Sequence, residues 1–392
     1  MININYPNFS CWPKRVICGA GSLSAVGDIA IQMKKKKVVV FTGPNLAKTH
    51  IIKNLVTQLN EKGLTVDVYF DFGQNPVVGM VDKATQFLHK VKPEMIVAIG
   101  GGSPVDAAKA ANVLYTHGGT VYDYDVINGG MEKIQNKLLP IVIVPTTAGS
   151  GTEVTLVSAI TDDVKKIKIG VLSPLLIPDV SILDPEVTVS LSSNLTAFTG
   201  MDAFTHCVEA YVSSVDFKPG DAMAIGGIEL VAKSLVKAVN DGEDLEARQD
   251  MLVASMMGGV SLSLNGLGAC HAMSHQLSAY FNMPHGLANA ILLPRVMKFN
   301  LSAVPKKFAK IAEALGGDIR GLSDDEAAEK ALELVRELTA KIGIPQYLDD
   351  AGAKKEEVKE MAEKALTEPP LRSNPRKATL ADIEDMYLQS FK

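Results

Sequence analysis

Short apolar runs alternate with amphipathic stretches through the first half of the chain. Residues 38–41 and 95–99 are apolar throughout, as buried strands are, and residues 65–70 alternate like a strand with one buried face. Between these runs, residues 51–62 and 77–91 carry apolar positions at helical spacing. Strands and helices in this rhythm predict a parallel sheet with helices on its faces.

The pattern changes near Asp184 and is helical almost throughout from about residue 196. A chain of 392 residues is too long for one average hydrophobic core, so two domains are expected. We therefore predict an α/β N-terminal domain with a parallel sheet over residues 1–185, followed by an all-α C-terminal domain over residues 186–392.

Two loops rich in glycine and hydroxyl groups each follow a predicted buried strand. Residues 100–103 (Gly-Gly-Gly-Ser) follow the strand 95–99, and residues 145–155 follow a strand over 139–144. At such strand ends, backbone N–H groups and a helix N-terminus can hold phosphate. Either loop alone also fits a turn without a ligand, and neither has the GxGxxG or GxxxxGK(S/T) motif. Together they favour a dinucleotide that lies across the edge of the sheet.

The histidines gather in the helical half of the chain, where four of the seven fall between residues 206 and 285. His271 and His275 are four residues apart, and His285 follows a proline. Asp202 and His206 are also four apart, and side chains at this spacing share one face of a helix. One such pair alone is more often accidental than a ligand set. The apolar neighbours indicate a buried cluster, which predicts a divalent metal site.

Composition narrows the class of protein. The net charge of −5, with no dense basic block beyond residues 34–37, argues against nucleic acid as a partner. No apolar run approaches the roughly 20 residues that cross a bilayer, and the N-terminus lacks a signal-sequence pattern, so we expect no membrane partner. The cysteines form no disulfide framework, which favours a reducing, cytoplasmic location. They are Cys11, Cys18, Cys207 and Cys270.

Taken together, these motifs resemble the iron-containing (group III) alcohol dehydrogenases. The resemblance rests on residues 100–103, 145–155, 200–206 and 271–286, in the family's order and spacing, and extends over residues 19–376. It implies a dinucleotide-binding domain, a helical metal domain and an active site in the cleft between them. It also implies the interconversion of small primary alcohols and aldehydes by hydride transfer with NAD or NADP.

The resemblance also assigns roles to individual residues. It gives the metal ligands as Asp202, His206, His271 and His285. It places His275 near the substrate as a catalytic proton relay. The dinucleotide diphosphate would lie on Gly101, Gly102 and Ser103. The adenosine side would be lined by Asn75, Thr146, Thr147, Ser150 and Lys168. The metal of the family is Fe²⁺, although three imidazoles and one carboxylate also suit Zn²⁺, Co²⁺ or Mn²⁺.

One departure from the family concerns the choice of dinucleotide. Many NAD-dependent members have an aspartate at the end of the second strand, where it binds the ribose hydroxyls and repels a 2′-phosphate. Gly43 stands at that position here. Without the carboxylate, charge no longer excludes NADP, so the preference between NAD and NADP stays open.

Two other functions were weighed against the dehydrogenase. A non-redox cyclase resembling dehydroquinate synthase would use the same architecture, but it needs several basic residues around the metal, and the helical half shows few there. A metal-binding scaffold without catalysis is the other, and it would have no use for two phosphate-binding loops.

Substrate and assembly are less determined. The apolar residues Phe204, Leu267 and Phe281 suggest a small pocket for short-chain alcohols, diols or small aldehydes, and an anionic aldehyde stays open. The resemblance implies a homodimer or larger homo-oligomer, with an edge strand near the N-terminus as its interface.

Overall fold

A parallel sheet forms the centre of the N-terminal half. The structure, a computed structural model, describes residues 12–73 and 75–392, so Cys11 lies outside the described residues. The strands are, in chain order, β1 (Arg15–Cys18), β2 (Lys37–Thr42), β3 (Thr65–Tyr69), β4 (Met95–Gly100), β5 (Ile141–Pro145), β6 (Val157–Asp162), β7 (Ile167–Leu172) and β8 (Val180–Leu183). Six of them pair in parallel in the order β1-β8-β5-β4-β2-β3, and β6 and β7 form an antiparallel hairpin.

Helices cover both faces of this sheet. They are α1 (Val26–Gln32), α2 (His50–Glu61), α3 (Val78–Val91) and α4 (Gly102–His117). Val39 and Phe41 of β2 point into the core on one face, whereas Val38 and Val40 point into the core on the other. A strand buried on both sides needs apolar side chains at every position, which explains the continuous apolar runs.

The C-terminal half is built from helices. They are α5 (Ser193–Val212), α6 (Lys218–Asn240), α7 (Leu245–Asn265), α8 (Ala269–Phe281), α9 (His285–Asn300), α10 (Pro305–Ala314), α11 (Asp324–Lys341), α12 (Val358–Ala365) and α13 (Leu380–Leu388). Helix α5 packs against α6, α7 and α9 in one large apolar core. The predicted fold class, a parallel-sheet α/β domain followed by an all-α domain, is confirmed.

The break between α8 and α9 determines where the histidines lie. Asn282 adopts a left-handed conformation (φ 50°) directly after α8, and Pro284 precedes the first residue of α9. A left-handed residue ends a helix, and a proline fits the start of the next one. The chain therefore doubles back within three residues and returns His285 to the side of α8 that carries His271 and His275.

Within the described residues, no single helix has the length and apolar character required to cross a membrane. The pair α7 and α8 meets both criteria only when its members are taken together, and the two are bent by 111° relative to each other.

Candidate active site

Three helices bring the four predicted metal ligands together. Asp202 and His206 lie one turn apart on α5, His271 lies on α8, and His285 begins α9. The Nε2 atoms of His206 and His271 both lie 3.8 Å from Asp202 Oδ1. The Nε2 atom of His285 lies 3.5 Å from the same oxygen. Ligand atoms of Asp202, His271 and His285 all fall within 4.8 Å of one another, so one cation could contact these three residues together.

Glycine permits the close approach of α9 to α5. A Cβ atom on Gly286 would lie 2.0 Å from the carbonyl oxygen of Phe198 and 3.2 Å from Cβ of Asp202. Any larger residue at this position would push the first turn of α9 away from α5. Because His285 is the neighbour of Gly286, the glycine sets the distance between His285 and Asp202.

The hydrogen bonds on the outer ring nitrogens suit metal binding. The backbone carbonyl of Gly149 accepts a hydrogen bond from Nδ1 of His206 at 3.2 Å. Because a carbonyl only accepts, Nδ1 carries the proton and the lone pair of Nε2 faces Asp202. This contact also joins the second glycine-rich loop to the metal cluster, since Gly149 belongs to that loop.

Burial and mutual charge give the cluster a protonation pattern that fits a cation. Burial lowers the pKa of His206 to about 4 and that of His285 well below its usual range, so both are neutral. Burial acts to raise the pKa of Asp202, but its interactions with His206, His285 and His271 hold that pKa below its usual range. Burial acts to lower the pKa of His271, but the hydrogen bonds that its ring donates to the carboxylates of Asp202 and Glu209 raise that pKa to about 9. A metal would therefore replace a proton on His271.

Two buried residues that the sequence analysis did not single out complete the cluster. The carboxylate of Glu209 lies 2.5 Å from Nδ1 of His271. The amide Nδ2 of Asn289 donates to Asp202 Oδ1 at 2.8 Å, and it lies 3.2 Å from Nε2 of both His271 and His285. Their helical spacing could have revealed them, since Glu209 lies two turns after Asp202, and Asn289 lies one turn after His285.

His275 lies beside the cluster. Its Nδ1 is 3.2 Å from Oε2 of Glu368, and its ring stacks on that of His285 with a centroid distance of 5.4 Å. Gln276 donates to the other oxygen of Glu368 at 2.9 Å and so fixes the carboxylate. The side chain of His275 is 18% exposed, so it can contact solvent, whereas the side chain of His271 is buried.

The two glycine-rich loops lie side by side because β4 and β5 are neighbours in the sheet. The backbone N–H of Thr146 donates to the carbonyl of the last residue of β4 at 2.9 Å. A Cβ atom on Gly101 would lie 3.3 Å from Thr147, and one on Gly102 would lie 3.2 Å from Ser150. The loops therefore pack closely at the carboxyl edge of the sheet, where α/β folds bind dinucleotides.

Two further predicted cofactor residues lie at the entrance to this edge. The hydroxyl of Ser103 donates to the carbonyl of Gly73 at 2.9 Å. The amide of Asn75 donates to Oδ1 of Asn282 at 2.6 Å, which links the N-terminal half to the turn between α8 and α9. Asn75 thus connects the N-terminal half to the helices that carry the predicted metal ligands.

Lys168, a further predicted cofactor residue, lies on strand β7. Its Nζ donates to Thr161 Oγ1 at 2.7 Å within the β6–β7 hairpin. Burial lowers the pKa of Lys168, whereas the charge of Glu368 acts to raise it. The lysine charge in turn helps to lower the pKa of His285. Lys168 therefore interacts electrostatically with both Glu368 and His285.

Two buried polar residues on α4, Asp106 and Lys109, support the second loop from behind. Nζ of Lys109 on α4 donates to the carbonyl oxygens of Thr152 at 2.6 Å and of Thr155 at 2.7 Å. The hydroxyl of Thr152 donates to Asp106 Oδ1 at 2.6 Å. Burial lowers the pKa of Lys109 to about 8. These hydrogen bonds fix α4, which follows the first loop, to the second loop. Neither residue stands out in the sequence pattern.

Comparison with known proteins identifies the family. The family model "Iron-containing alcohol dehydrogenase" matches residues 13–185, and "Fe-containing alcohol dehydrogenase family, C-terminal" matches residues 196–391. The chain belongs to the iron-containing alcohol dehydrogenase family. The family resemblance stated above is thereby confirmed.

Sequence similarity to known proteins extends over nearly the whole of this alcohol dehydrogenase. The chain is 40% identical to the 1,3-propanediol dehydrogenase of Citrobacter freundii, over 95% of this chain and 96% of that one. It is 36% identical to the NAD-dependent methanol dehydrogenase of Bacillus methanolicus, over 96% and 97%. A crystal structure of 1,3-propanediol oxidoreductase superposes with a TM-score of 0.95 at 39% identity, over 98% of this chain and all of that one.

Membership of this family decides between the functions weighed from the sequence. The chain is an enzyme, an oxidoreductase that acts on alcohols, and the cyclase alternative is not favoured. The family implies a divalent metal and a nicotinamide dinucleotide, and the donor set around Asp202 is chemically suited to such a metal.

Proposed function

We propose that this alcohol dehydrogenase interconverts small primary alcohols and aldehydes in the cleft between the glycine-rich loops and the metal helices. The hydrogen bond from His206 to the carbonyl of Gly149 carries the proposal. It joins a predicted metal ligand to a predicted dinucleotide loop, so a dinucleotide bound along the two loops would lie beside a substrate at the metal. Hydride transfer requires this proximity.

The proposed metal ligands are Asp202, His206, His271 and His285, and the proposed metal is Fe²⁺. The family name supports iron, and the mixed imidazole and carboxylate donors would also accept Zn²⁺. When bound, the cation supplies Lewis-acid polarisation of the substrate oxygen. The protein contributes neutral imidazoles held in position by their outer hydrogen bonds.

His275 is proposed to move the proton. Its Nδ1 faces Glu368 at 3.2 Å, so Nε2 is the nitrogen that could exchange a proton with the substrate oxygen, directly or through water. The negative carboxylate stabilises the imidazolium that forms when His275 takes up the proton. Lys168, on the β6–β7 hairpin, is proposed to bind the adenosine side of the dinucleotide.

We propose that the dinucleotide diphosphate lies on Gly101, Gly102 and Ser103, where backbone N–H groups at the start of α4 favour its charge. The remaining proposed contacts are Asn75, Thr146, Thr147 and Ser150. Gly43 follows β2 directly, and a Cβ atom added to it would have no other atom within 4 Å. The space and the missing carboxylate support acceptance of NADP beside NAD.

Short alcohols and diols are the proposed substrates. Relatives at 36–40% identity are named for 1,3-propanediol and methanol, and both alcohols are small and neutral. The carboxylate of Glu368, 15% exposed beside His275, would disfavour an anionic aldehyde at this point of the cleft.

Assembly, location and domain boundary are proposed on separate grounds. We propose a homodimer or larger homo-oligomer, because β1 is an edge strand with one unpaired side within the described sheet. The free cysteines Cys207 and Cys270 support a reducing, cytoplasmic location. A boundary at residue 185 is supported by the end of β8 at Leu183 and the start of α5 at Ser193.

An anaerobic assay at 340 nm tests the proposed function. NADH and NADPH oxidation would be followed with propanal, 3-hydroxypropanal and formaldehyde, after addition of Fe²⁺, Zn²⁺ or EDTA. We expect turnover that depends on added metal and that EDTA abolishes. Turnover that is unaffected by complete metal removal would contradict the proposed role of the Asp202 cluster.

A further inference from the structure

The carboxylate of Glu209 is enclosed at the back of the metal cluster. Its Oε2 lies 2.5 Å from Nδ1 of His271, and its Oε1 accepts the backbone N–H of Cys270 at 2.6 Å. The residue is 3% exposed, and His271 is 1% exposed. Water therefore cannot replace either partner.

We propose that Glu209 is a positioning residue that keeps a proton on Nδ1 of His271 and so directs the lone pair of Nε2 toward the metal. The proposal rests on the proposed metal function and deepens it, because it names the residue that sets metal affinity without touching the metal. A hydrogen bond from one ring nitrogen to a carboxylate also makes the other ring nitrogen more basic, which strengthens its bond to a metal.

The hydrogen-bond pattern requires a carboxylate at this position. Both oxygens of Glu209 face N–H donors, one from the backbone of Cys270 and one from the ring of His271. A glutamine has one oxygen and one NH₂ group, so one of these donors would face another donor. If the NH₂ group faced the ring, His271 would have to move its proton to Nε2, where the metal binds.

The surroundings allow Glu209 no other orientation. A Cβ atom on Gly268 would lie 2.7 Å from Oε1 of Glu209 and 2.9 Å from Oδ1 of Asn374, so the backbone at the start of α8 lies directly against the carboxylate. Asn374 accepts the backbone N–H of Ala269 at 3.1 Å and completes the enclosure. The side chain is therefore held in one position, as a residue that orients a metal ligand must be.

Glu209→Gln in the full-length enzyme tests the proposal. Metal-free protein would be titrated with Co²⁺, with affinity read from chelator competition and geometry from the visible absorption of the bound ion. We expect the Kd for Co²⁺ to rise about 10- to 100-fold, because loss of an outer carboxylate typically has this effect. An unchanged Kd in a folded variant would overturn the proposal.

The matched control is Asp221→Asn. Asp221 is a buried carboxylate on α6 that accepts from Asn265 at 2.8 Å and contacts no histidine among its described partners. This change is expected to lower Tm and to leave the Co²⁺ affinity as in the wild type. An equal loss of Co²⁺ affinity in Asp221→Asn would show that general loosening of the helices explains the effect, and the proposal would fail.

A second measurement needs no variant and remains available if Glu209→Gln does not fold. In Zn²⁺-loaded wild-type enzyme with ¹⁵N-labelled histidine, NMR should show His271 with a proton on Nδ1 and with Nε2 bound to the metal. A metal-bound Nδ1 would overturn the role of Glu209. Failure of the wild type to bind Co²⁺ or Zn²⁺ at all would instead overturn the proposed metal function.

Discussion

Oδ1 of Asp202 on α5 lies 3.5 Å from Nε2 of His285 on α9, although the two residues share no local segment. The contact exists because the turn after α8 returns the chain and because Gly286 lets α9 meet α5. The cluster therefore depends on how the helices pack. Substitutions of the ligands test its chemistry, and substitutions at the helix contacts test its packing.

Replacing His285 by alanine should abolish activity while the protein stays folded. The side chain is 33% exposed, so its removal creates little buried empty space. Loss of one metal ligand should lower kcat/KM by roughly 10³-fold or more, because Lewis-acid stabilisation is worth several kcal/mol. Aldehyde-dependent NADH oxidation, metal content and circular dichroism would be measured on the same sample. The exposed His50 on α2 gives the control His50→Ala, and full activity in His285→Ala would refute the ligand assignment.

Gly286→Ala should damage the cluster through packing alone. The added methyl group would lie 2.0 Å from the carbonyl oxygen of Phe198, so α9 must move away from α5. We expect a loss of about 1–3 kcal/mol in the free energy of unfolding, as for other overpacked sites, together with weaker Co²⁺ binding. The control is Gly79→Ala on α3, where a Cβ meets nothing within 4 Å and should stabilise by about 0.5 kcal/mol. Wild-type Co²⁺ affinity in Gly286→Ala would contradict this account of the close approach.

Gly43→Asp should shift the enzyme toward NADH. A carboxylate fits there without a clash, and it would repel the 2′-phosphate of NADPH. The ratio of kcat/KM for NADPH to that for NADH should fall roughly 10- to 100-fold, since close like charges cost a few kcal/mol. Gly43→Asn adds the same volume without the charge and should change this ratio much less. If both variants shift the ratio equally, volume rather than charge is responsible.

Lys109→Met should destabilise the N-terminal half. The change leaves the carbonyl oxygens of Thr152 and Thr155 without their donor. Leaving a buried acceptor unsatisfied costs roughly 1–3 kcal/mol for each group. Urea unfolding would measure the loss, with Lys53→Met on the exposed side of α2 as the control. A loss below about 1 kcal/mol in Lys109→Met would show that Lys109 is not required to fix the loops.

Glu153→Gln should remove a pH dependence of stability. Glu153 is fully buried, neither carboxylate oxygen has a partner from another residue in the described part of the chain, and burial raises its pKa from 4.5 to about 7. The folded state therefore holds a proton that the unfolded chain loses between pH 4.5 and 7, so the wild type loses stability as the pH rises through this window.

Glutamine cannot ionise, so the stability of Glu153→Gln relative to the wild type should increase by at most about 3 kcal/mol between pH 5 and pH 7.5. Urea unfolding at the two pH values would measure the difference, with the exposed Glu356→Gln as the control. A constant difference between variant and wild type would mean that Glu153 does not hold a proton in the folded protein.

The sequence by itself determined the features that depend on local spacing. The apolar runs at 38–41 and 95–99 specified strands buried on both faces, and the glycines after them marked the carboxyl edge of the sheet. The spacing of Asp202 and His206 placed both on one face of α5. Helical and strand periods follow from the backbone geometry of each element alone, so they can be deduced before any packing is known.

Only the tertiary structure decided which side chains meet across elements. The pairing of Glu209 with His271 and the enclosure of Lys109 by the second loop both join distant segments. A periodic pattern states which face of a helix is buried, but not which neighbour covers it, because that depends on the summed packing of the whole core and on close approaches such as that at Gly286.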